Sequence, residues 1–571
     1  MVCQVGDMMP TISVEQSLIR KLLAAHGCHH DAGELADKLP LLGTDIDRCD
    51  DEILDIEIFP NRPDLLSGET LSRAIRNFIH HEMAEPELHI TEGDVTMSVD
   101  PKLIDIRPVI LGAVVRNVDI NELGVSPDKF IKSLMDHQEK LHFALGRGRK
   151  KASIGVHDLA KITPPFRVKA VSGDTEFIPL AMSTPMSLTE ILVKHPKGID
   201  YANLLKEFSE YPVIVDANDN VLSFPPIING EHTTVTDETT EFFIDVTGWD
   251  LRSCEASLTL IALQLQEYGG IIETVAVTDC HGMTKHYPQK NAIEHSLSTD
   301  LLNGLLGISL TDKQITTAIN RMGGKFIARD KGNLLIEMPR WRFDILHPVD
   351  LVEDIAIGHG YEDIGVDVPQ SPMTAQARPD NNLLRRIRDS MQGLGMMQIQ
   401  SLTLSNDHDQ FEVMRWKNVG EVTRITNPIT IEHTMLRQHL LPGLLRLLST
   451  NRHHDLPQSV YELGTVVRSH QNQSRLAFLV AERSGGFAAV RGRIQAFLRD
   501  LGADQYEISP LPDGEGPWLA GRAAKIVVNG NHIGCFGEID PVVAEQFELK
   551  VPMNGAEFSL GELMNSISDP V

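Results

Sequence analysis
Residues 339–354 read PRWRFDILHPVDLVED, which sets Asp344, Asp350, Glu353 and Asp354 at offsets of 0, 6, 9 and 10. A helix that begins near Asp350 carries Glu353 and Asp354 at i+3 and i+4, so these three carboxylates share one face. Asp344 lies on the extended segment feeding that helix and can fold back toward the same face. Four converging hard oxygen ligands suit Mg²⁺, which prefers carboxylates and keeps several waters. The same residues also spell a capping box, with Asp350 accepting from the N3 amide and Glu353 reaching back to the cap. Acidic side chains in a first helical turn complement the helix dipole as well. The two readings coexist, because a cap leaves one carboxylate oxygen free.

The whole chain bounds what this stretch can belong to. Its 571 residues suggest three to five domains, and 42% hydrophobic with 23% charged residues is ordinary globular composition. No apolar run is long enough to span a bilayer, and MVCQVGDMMP lacks the basic and apolar regions of a signal peptide, so the cytoplasm is expected. Residues 1–9 read as a short leader. Cys3, Cys28, Cys49, Cys254, Cys280 and Cys535 show no C-x-x-C spacing, which supports neither a zinc site nor a disulfide framework. A net charge of −27 argues against a protein whose main task is to coat nucleic acid. The one dense basic stretch, GRGRKK at residues 146–151, reads as a solvated loop able to touch a phosphate backbone.

Further out, the pattern alternates between strands and helices. PTISV reads as a strand, with helices over 15–26 and 33–38, a strand at 55–59 and a helix over 65–79 capped by Asp64 or Ser67. From Arg107 the chain becomes β-rich. VIVDA and VLSFPPI flank the turn Asn218-Asp219-Asn220 as a hairpin, EFFIDVTG is a further strand, and a helix follows over 258–268. Helices over STDLLNGLLG and TDKQITTAINRMGG and strands KFIARD and NLLIEMP lead to the acidic stretch. Residues 366–380 hold three prolines and read as a linker.

PRWRFDI followed by DLVEDIAIGHGYEDI (residues 350–364) resembles the signature of the β subunit of phenylalanyl-tRNA synthetase. IEIFPNRPDLLSGETLSRAIR at 56–76 resembles the family's N-terminal module. SIGVHDL at 153–159 and SFPPIINGEHT at 223–233 resemble its editing domain in the archaeal and eukaryotic-cytosolic form. RITNPITIEHTMLRQHLLPGLLRLLSTN, SVYELGTVV and CFGEIDPVVAEQF resemble its C-terminal region. The resemblance covers about residues 10–565 in one module order.

It implies an α+β multidomain chain: an N-terminal α/β module (10–95), a β-rich editing domain (96–280), and a small α/β module with the acidic Mg²⁺ signature (290–366). A linker (367–380) and a degenerate class II synthetase-like antiparallel-sheet domain (381–566) complete it. It implies a Mg²⁺ site at Asp344, Asp350, Glu353 and Asp354, held together with the α subunit. The family pattern has Glu where this chain has Asp354, one methylene shorter. It further implies an α₂β₂ ligase that joins phenylalanine to tRNA(Phe) at the expense of ATP, with the aminoacylation site in α. The editing domain of such a chain hydrolyses tyrosine wrongly attached to that tRNA. Buried polar groups that pair with a phenolic hydroxyl discriminate strongly against its absence. The candidates here are His157, Asp158, Asn229, Gly230, Glu231, Asp245 and Thr247, with Gly230 allowing backbone amides near a hydrolytic water.

The C-terminal copy lacks what activation needs. An active class II site clamps ATP with an arginine in an Arg-x-Glu strand and another in a Gly-rich strand-to-helix turn. The corresponding turn, GCFGEIDP, contains no arginine, and Arg437 and Arg446 lie on or beside the helix after NPIT. This copy is therefore expected to pack against a catalytic subunit and not to activate an amino acid. The other functional classes open to such a chain are a free-standing aminoacyl-ester hydrolase and a non-catalytic scaffold with a decayed editing pocket.

Overall fold
The computed structural model describes residues 10–80, 88–365, 375–378 and 380–567. The leader read at 1–9 and most of the linker read at 367–380 lie outside these residues. The chain divides into two compact units, Met1–Pro369 and Gln370–Val571.

In the first unit the alternation of TISVE makes strand β1 (Thr11–Glu15), with Ile12 and Val14 turned inward and Thr11 and Ser13 outward. Helices α1 (Gln16–Ala24) and α2 (Ala32–Lys38), strands β2 (Thr44–Cys49) and β3 (Ile53–Ile58), and helix α3 (Gly68–Phe78) follow. The strands lie in the order β1-β3-β2. Helix α3 starts later than the sequence suggested because Pro63–Leu65 form a single 3₁₀ turn. Ser67 caps it, accepting from the Thr70 amide at 3.2 Å. Asp64 is spent elsewhere: Arg62 donates to it through Nε at 2.9 Å and Nη2 at 2.8 Å, both side chains buried.

Helix α4 (Pro127–Ala144), strands β4 (Ala152–Asp158) and β5 (Phe242–Gly248), and helix α5 (Leu251–Gln266) organise the next layer. They belong with an eleven-stranded sheet in which β5 lies antiparallel between β4 and Val109–Arg116. Its strands run from Ile90–Thr91 to Thr284–Tyr287, so this domain is wider than the 96–280 expected. Helix α5 begins at Leu251, before the expected 258, because Asp250 accepts from the Ser253 amide at 3.1 Å and opens it there. It is buried nearly all round, packed on β5 and on α3 and α4, so it carries no polar face to mark it.

Strand Ile293–Ser298, helices Thr299–Leu306 and Asp312–Arg321, strands Lys325–Asp330 and Asn333–Met338, and helix α6 (Pro348–His359) close the unit. The first of these strands had no sequence signal, since only Leu297 is fully buried along it. The three strands again pair first-third-second, repeating the element and strand order of the N-terminal module. The likeness extends to the turn after the third strand, where Arg342 and Asp344 stand where Arg62 and Asp64 stand in the first copy.

The second unit is a seven-stranded sheet, antiparallel except where Met397–Gln398 joins Gln458–Arg468. The strand Gln471–Ala481 sits inside it, and its side chains feed both faces. Leu476, Phe478 and Val480 enter a core with helices Asn381–Gly393 and Phe487–Asp500. Ala477, Leu479 and Ala481 enter another with helix Leu441–Thr450.

Candidate functional site
Strands β4 and β5 are buried along their full length, and their register sets Asp245 opposite Gly155, Phe243 opposite His157 and Thr247 opposite Ser153. Asp245 and His157 are thus diagonal neighbours on one face. His157 Nε2 lies 2.7 Å from Asp245 Oδ2, and Nδ1 lies 2.8 Å from Thr233 Oγ1. The Thr233 hydroxyl is also 2.9 Å from the Gly230 carbonyl. The contact across the strands depends on Gly155. A Cβ there would stand 2.0 Å from Asp245 Oδ2 and 2.9 Å from His157 Nε2.

A carboxylate, an imidazole and a hydroxyl in line are the parts of a proton relay. His157 is fully buried, however, and Asp245 and Thr233 nearly so. These three hold one another and, through Gly230, the turn Asn229–Glu231. Asn229 and Glu231 are the members of the candidate set with partly open side chains. Asn229 Nδ2 reaches the Val156 carbonyl at 3.4 Å, and Glu231 Oε2 accepts from the Ala181 amide at 2.6 Å. Asp158 serves the fold: it accepts from the Ala160 amide at 3.1 Å and the Thr239 hydroxyl at 2.9 Å.

Thr247 is buried under Arg107, which donates to its Oγ1 at 2.7 Å, to its carbonyl at 2.6 Å and to the Arg149 carbonyl at 3.0 Å. None of these acceptors is a carboxylate, and burial pulls Arg107 down to about 10. Within residues 146–151, Arg147, Gly148, Lys150 and Lys151 are exposed, as the solvated-loop reading expects, and Arg149 alone of the basic side chains turns inward. It is buried, stacks over Tyr201 and donates to the Pro226 and Ile227 carbonyls at 3.2 and 2.9 Å. Arg107, Arg149, Gly155 and Thr233 all stand inside words that the sequence singled out. What each does depends on which strands are neighbours.

The four acidic residues do not converge as expected. Arg342 lies between two of them, donating to Asp344 through Nε at 2.9 Å and Nη2 at 2.6 Å and to Asp354 Oδ1 at 2.7 Å. Helix α6 begins at Pro348, so Asp350 is its third residue and not its cap. Its Oδ2 reaches back to the amides of Leu346 at 2.7 Å and His347 at 2.6 Å. Glu353 is exposed. Burial raises Asp354 to about 6 against the pull of Arg342, and its Oδ2 is buried without a partner. Asp344 is also largely buried, yet the guanidinium holds it below its ordinary value.

The lone Asp354 oxygen favours a cation. Against it, Arg342 fills the space between two ligands and a third is committed to amides. Among the described residues no group of three or more His, Cys, Asp or Glu side chains is placed to hold a metal ion. The four carboxylates do not fit a preformed Mg²⁺ centre within this chain. Saturating Mg²⁺ is accordingly expected to leave the unfolding temperature of the isolated chain unchanged in a fluorescence melt, as is EDTA. A rise of several degrees with the ion would show that the side chains rearrange to take it.

In the second unit Arg437 and Arg446 are both tied to carboxylates. Arg437 is buried on Glu462 at 2.7 Å, and Arg446 holds Asp409 through two bonds of 2.7 and 2.6 Å. Among the described residues no helix is long and apolar enough to cross a membrane.

These features fall within stretches that match three family models, two of them described as tRNA synthetase domains. Residues 109–264 match the B3/4 domain, residues 295–361 the tRNA synthetase B5 domain, and residues 364–560 the phenylalanyl tRNA synthetase beta chain CLM domain. The phenylalanine–tRNA ligase beta subunit of Methanosarcina acetivorans is 40% identical over 97% of this chain and 99% of its own length. That of Archaeoglobus fulgidus is 38% identical over 98% and 99%. An N-terminal fragment of the phenylalanyl-tRNA synthetase beta subunit from Pyrococcus horikoshii is 32% identical, with a TM-score of 0.56 over 62% of this chain and all of the fragment. The chain belongs to the phenylalanine–tRNA ligase beta subunit family.

Proposed function
We propose that this chain is the non-activating subunit of an α₂β₂ phenylalanine–tRNA ligase, with ATP-dependent attachment of phenylalanine to tRNA(Phe) carried out in the α subunit. The observation that carries this reading is the end-to-end similarity to chains of that name, 40% identical over 97% of the sequence. Two arginines of the second unit support it, since Arg437 and Arg446 are neutralised by their own carboxylates and are not free to clamp a transferring phosphoryl group. Exposed apolar side chains there are consistent with a partner: Ile429 is 99% exposed and Ile431 88%, with Leu402 and Met397 also open. The Mg²⁺ requirement belongs with ATP in the partner's site, and no step is routed through the four carboxylates of this chain. The assembly works in the cytoplasm.

Hydrolysis of mischarged tyrosyl-tRNA(Phe) belongs to the first unit, at the surface around Asn229, Gly230 and Glu231. Asp245, His157 and Thr233 act as positioning residues behind that turn. Asp158 and Thr247 brace the strands on either side.

Phenylalanine-dependent ATP–pyrophosphate exchange tests the reading, with this chain alone and with its α partner. Exchange only in the mixture is the expected outcome, together with deacylation of tyrosyl-tRNA(Phe) that needs this chain. Exchange by the chain alone would overturn the assignment of an inactive second unit. Deacylation by the chain alone, with no assembly, would make it a free-standing hydrolase. Assembly without deacylation would leave it a scaffold.

A further inference from the structure
Between β1 and α4 runs a groove of about 700 Å³ that neither activation nor editing uses. One wall is a sheet edge, since among the described residues β1 pairs only with β3. Ile58 N donates to the Pro10 carbonyl and Gln16 N to the Glu52 carbonyl. The alternation of an antiparallel ladder then assigns the backbone groups of Ile12 and Val14 to β3. Those of Thr11, Ser13 and Glu15 point the other way, into the groove. Lys140 Nζ confirms the parity by donating to the Thr11 carbonyl at 3.0 Å from the opposite wall.

That wall is one face of α4. Lys129, Lys132, Asp136, His137 and Lys140 recur on it at helical spacing, and Lys21 joins them from α1. Four lysines thus stand against Glu15 and Asp136 in a chain whose net charge is −27. Lys132 is exposed and makes no bond to any described residue. At the floor, His137 is 1% exposed, with Nδ1 on Gln264 at 2.8 Å and Nε2 without a partner. The walls match in length. Five strand residues at about 3.3 Å each span about 17 Å. The rise from Lys129 to Lys140 at about 1.5 Å per residue is nearly the same.

An open strand edge facing a helix across a groove is the geometry by which proteins take an extended peptide as an added strand. We propose that this groove binds an acidic, extended segment of another protein as a fourth strand on β1. Alternate backbone amides of the segment pair with Thr11, Ser13 and Glu15. Its carboxylates replace Glu15 on Lys129 and meet Lys132, Lys140 and Lys21. A nucleic-acid strand suits the lysines but has no use for a ladder of backbone amides and carbonyls, so the peptide is favoured.

The test is fluorescence anisotropy of a labelled, acetylated peptide of alternating Glu and Val, titrated with the full chain. Saturable binding is expected. It should weaken about tenfold for the Lys129→Glu/Lys132→Glu chain, and at least about tenfold when alternate peptide amides are N-methylated. Ser13→Pro removes one outward N–H while leaving the bonds to β3, and it should weaken binding with the sheet intact. Binding insensitive to N-methylation and to both lysine changes would overturn the proposal. So would the absence of binding, or a labelled oligouridylate that binds in the groove where the peptide does not.

Discussion

Replacing Arg342 by alanine lowers the unfolding free energy of the first unit by about 3–5 kcal/mol, the cost of stranding a buried ionic partner. The size follows from what one guanidinium serves. It donates to both oxygens of Asp344, to Asp354 and, at 3.0 Å, to the Met322 carbonyl, with 2% of its side chain exposed. Without it two carboxylates are left in the interior with only the charge of nearby Arg62, itself engaged by Asp64. Urea unfolding followed by tryptophan fluorescence reads the effect, because Trp341 adjoins the cluster. Arg342→Lys recovers only part of the loss, since an ammonium cannot fork across Asp344 and also reach Asp354. If Arg342→Ala costs less than about 1 kcal/mol, the pairing carries no weight and a cation site between the two carboxylates regains force.

On the proposed function, Gly155→Ala lowers tyrosyl-ester hydrolysis in the assembled ligase about a hundredfold and leaves attachment of phenylalanine within about twofold, because activation is assigned to the other subunit. The added methyl has no room at 2.0 Å from Asp245 Oδ2. Asp245 must swing off His157, and His157 then loses the partner that sets its ring against Thr233. The turn Asn229–Glu231 shifts with them. A displacement of about 1 Å costs a positioned reaction on the order of a hundredfold, so deacylation of tyrosyl-tRNA(Phe) should fall by about that factor. A stability cost of about 1–3 kcal/mol accompanies it, as for other overpacked sites. Deacylation rates for both aminoacyl esters, beside a melt of the variant, separate the two effects. Unchanged tyrosyl hydrolysis in a folded Gly155→Ala ligase would remove the relay from the editing reaction.

The modules were legible where side chains alternate cleanly. Ile12 and Val14 on β1, and the strand, turn and helix around Arg62 and Asp64, could be read because burial there follows a period of two and then 3.6. Strand Ile293–Ser298 escaped because most of its side chains face outward, and the start of α5 escaped because the helix is buried on every side. The site was legible as residue types and not as contacts. His157 and Asp245 stood out in their words, but the register that joins them across β4 and β5 is a property of the sheet. Arg342 stood inside the stretch that drew attention to the carboxylates. The spacing of like charges points to a cation from outside, whereas the chain carries one of its own two residues before Asp344.

The strand Gln471–Ala481 ties two hydrophobic cores to a single backbone, one through its even residues and one through its odd. Displacing that strand disturbs both faces of the second unit at once, which couples the stability of the two layers. A partner that settles on one face of the sheet is therefore felt at the other.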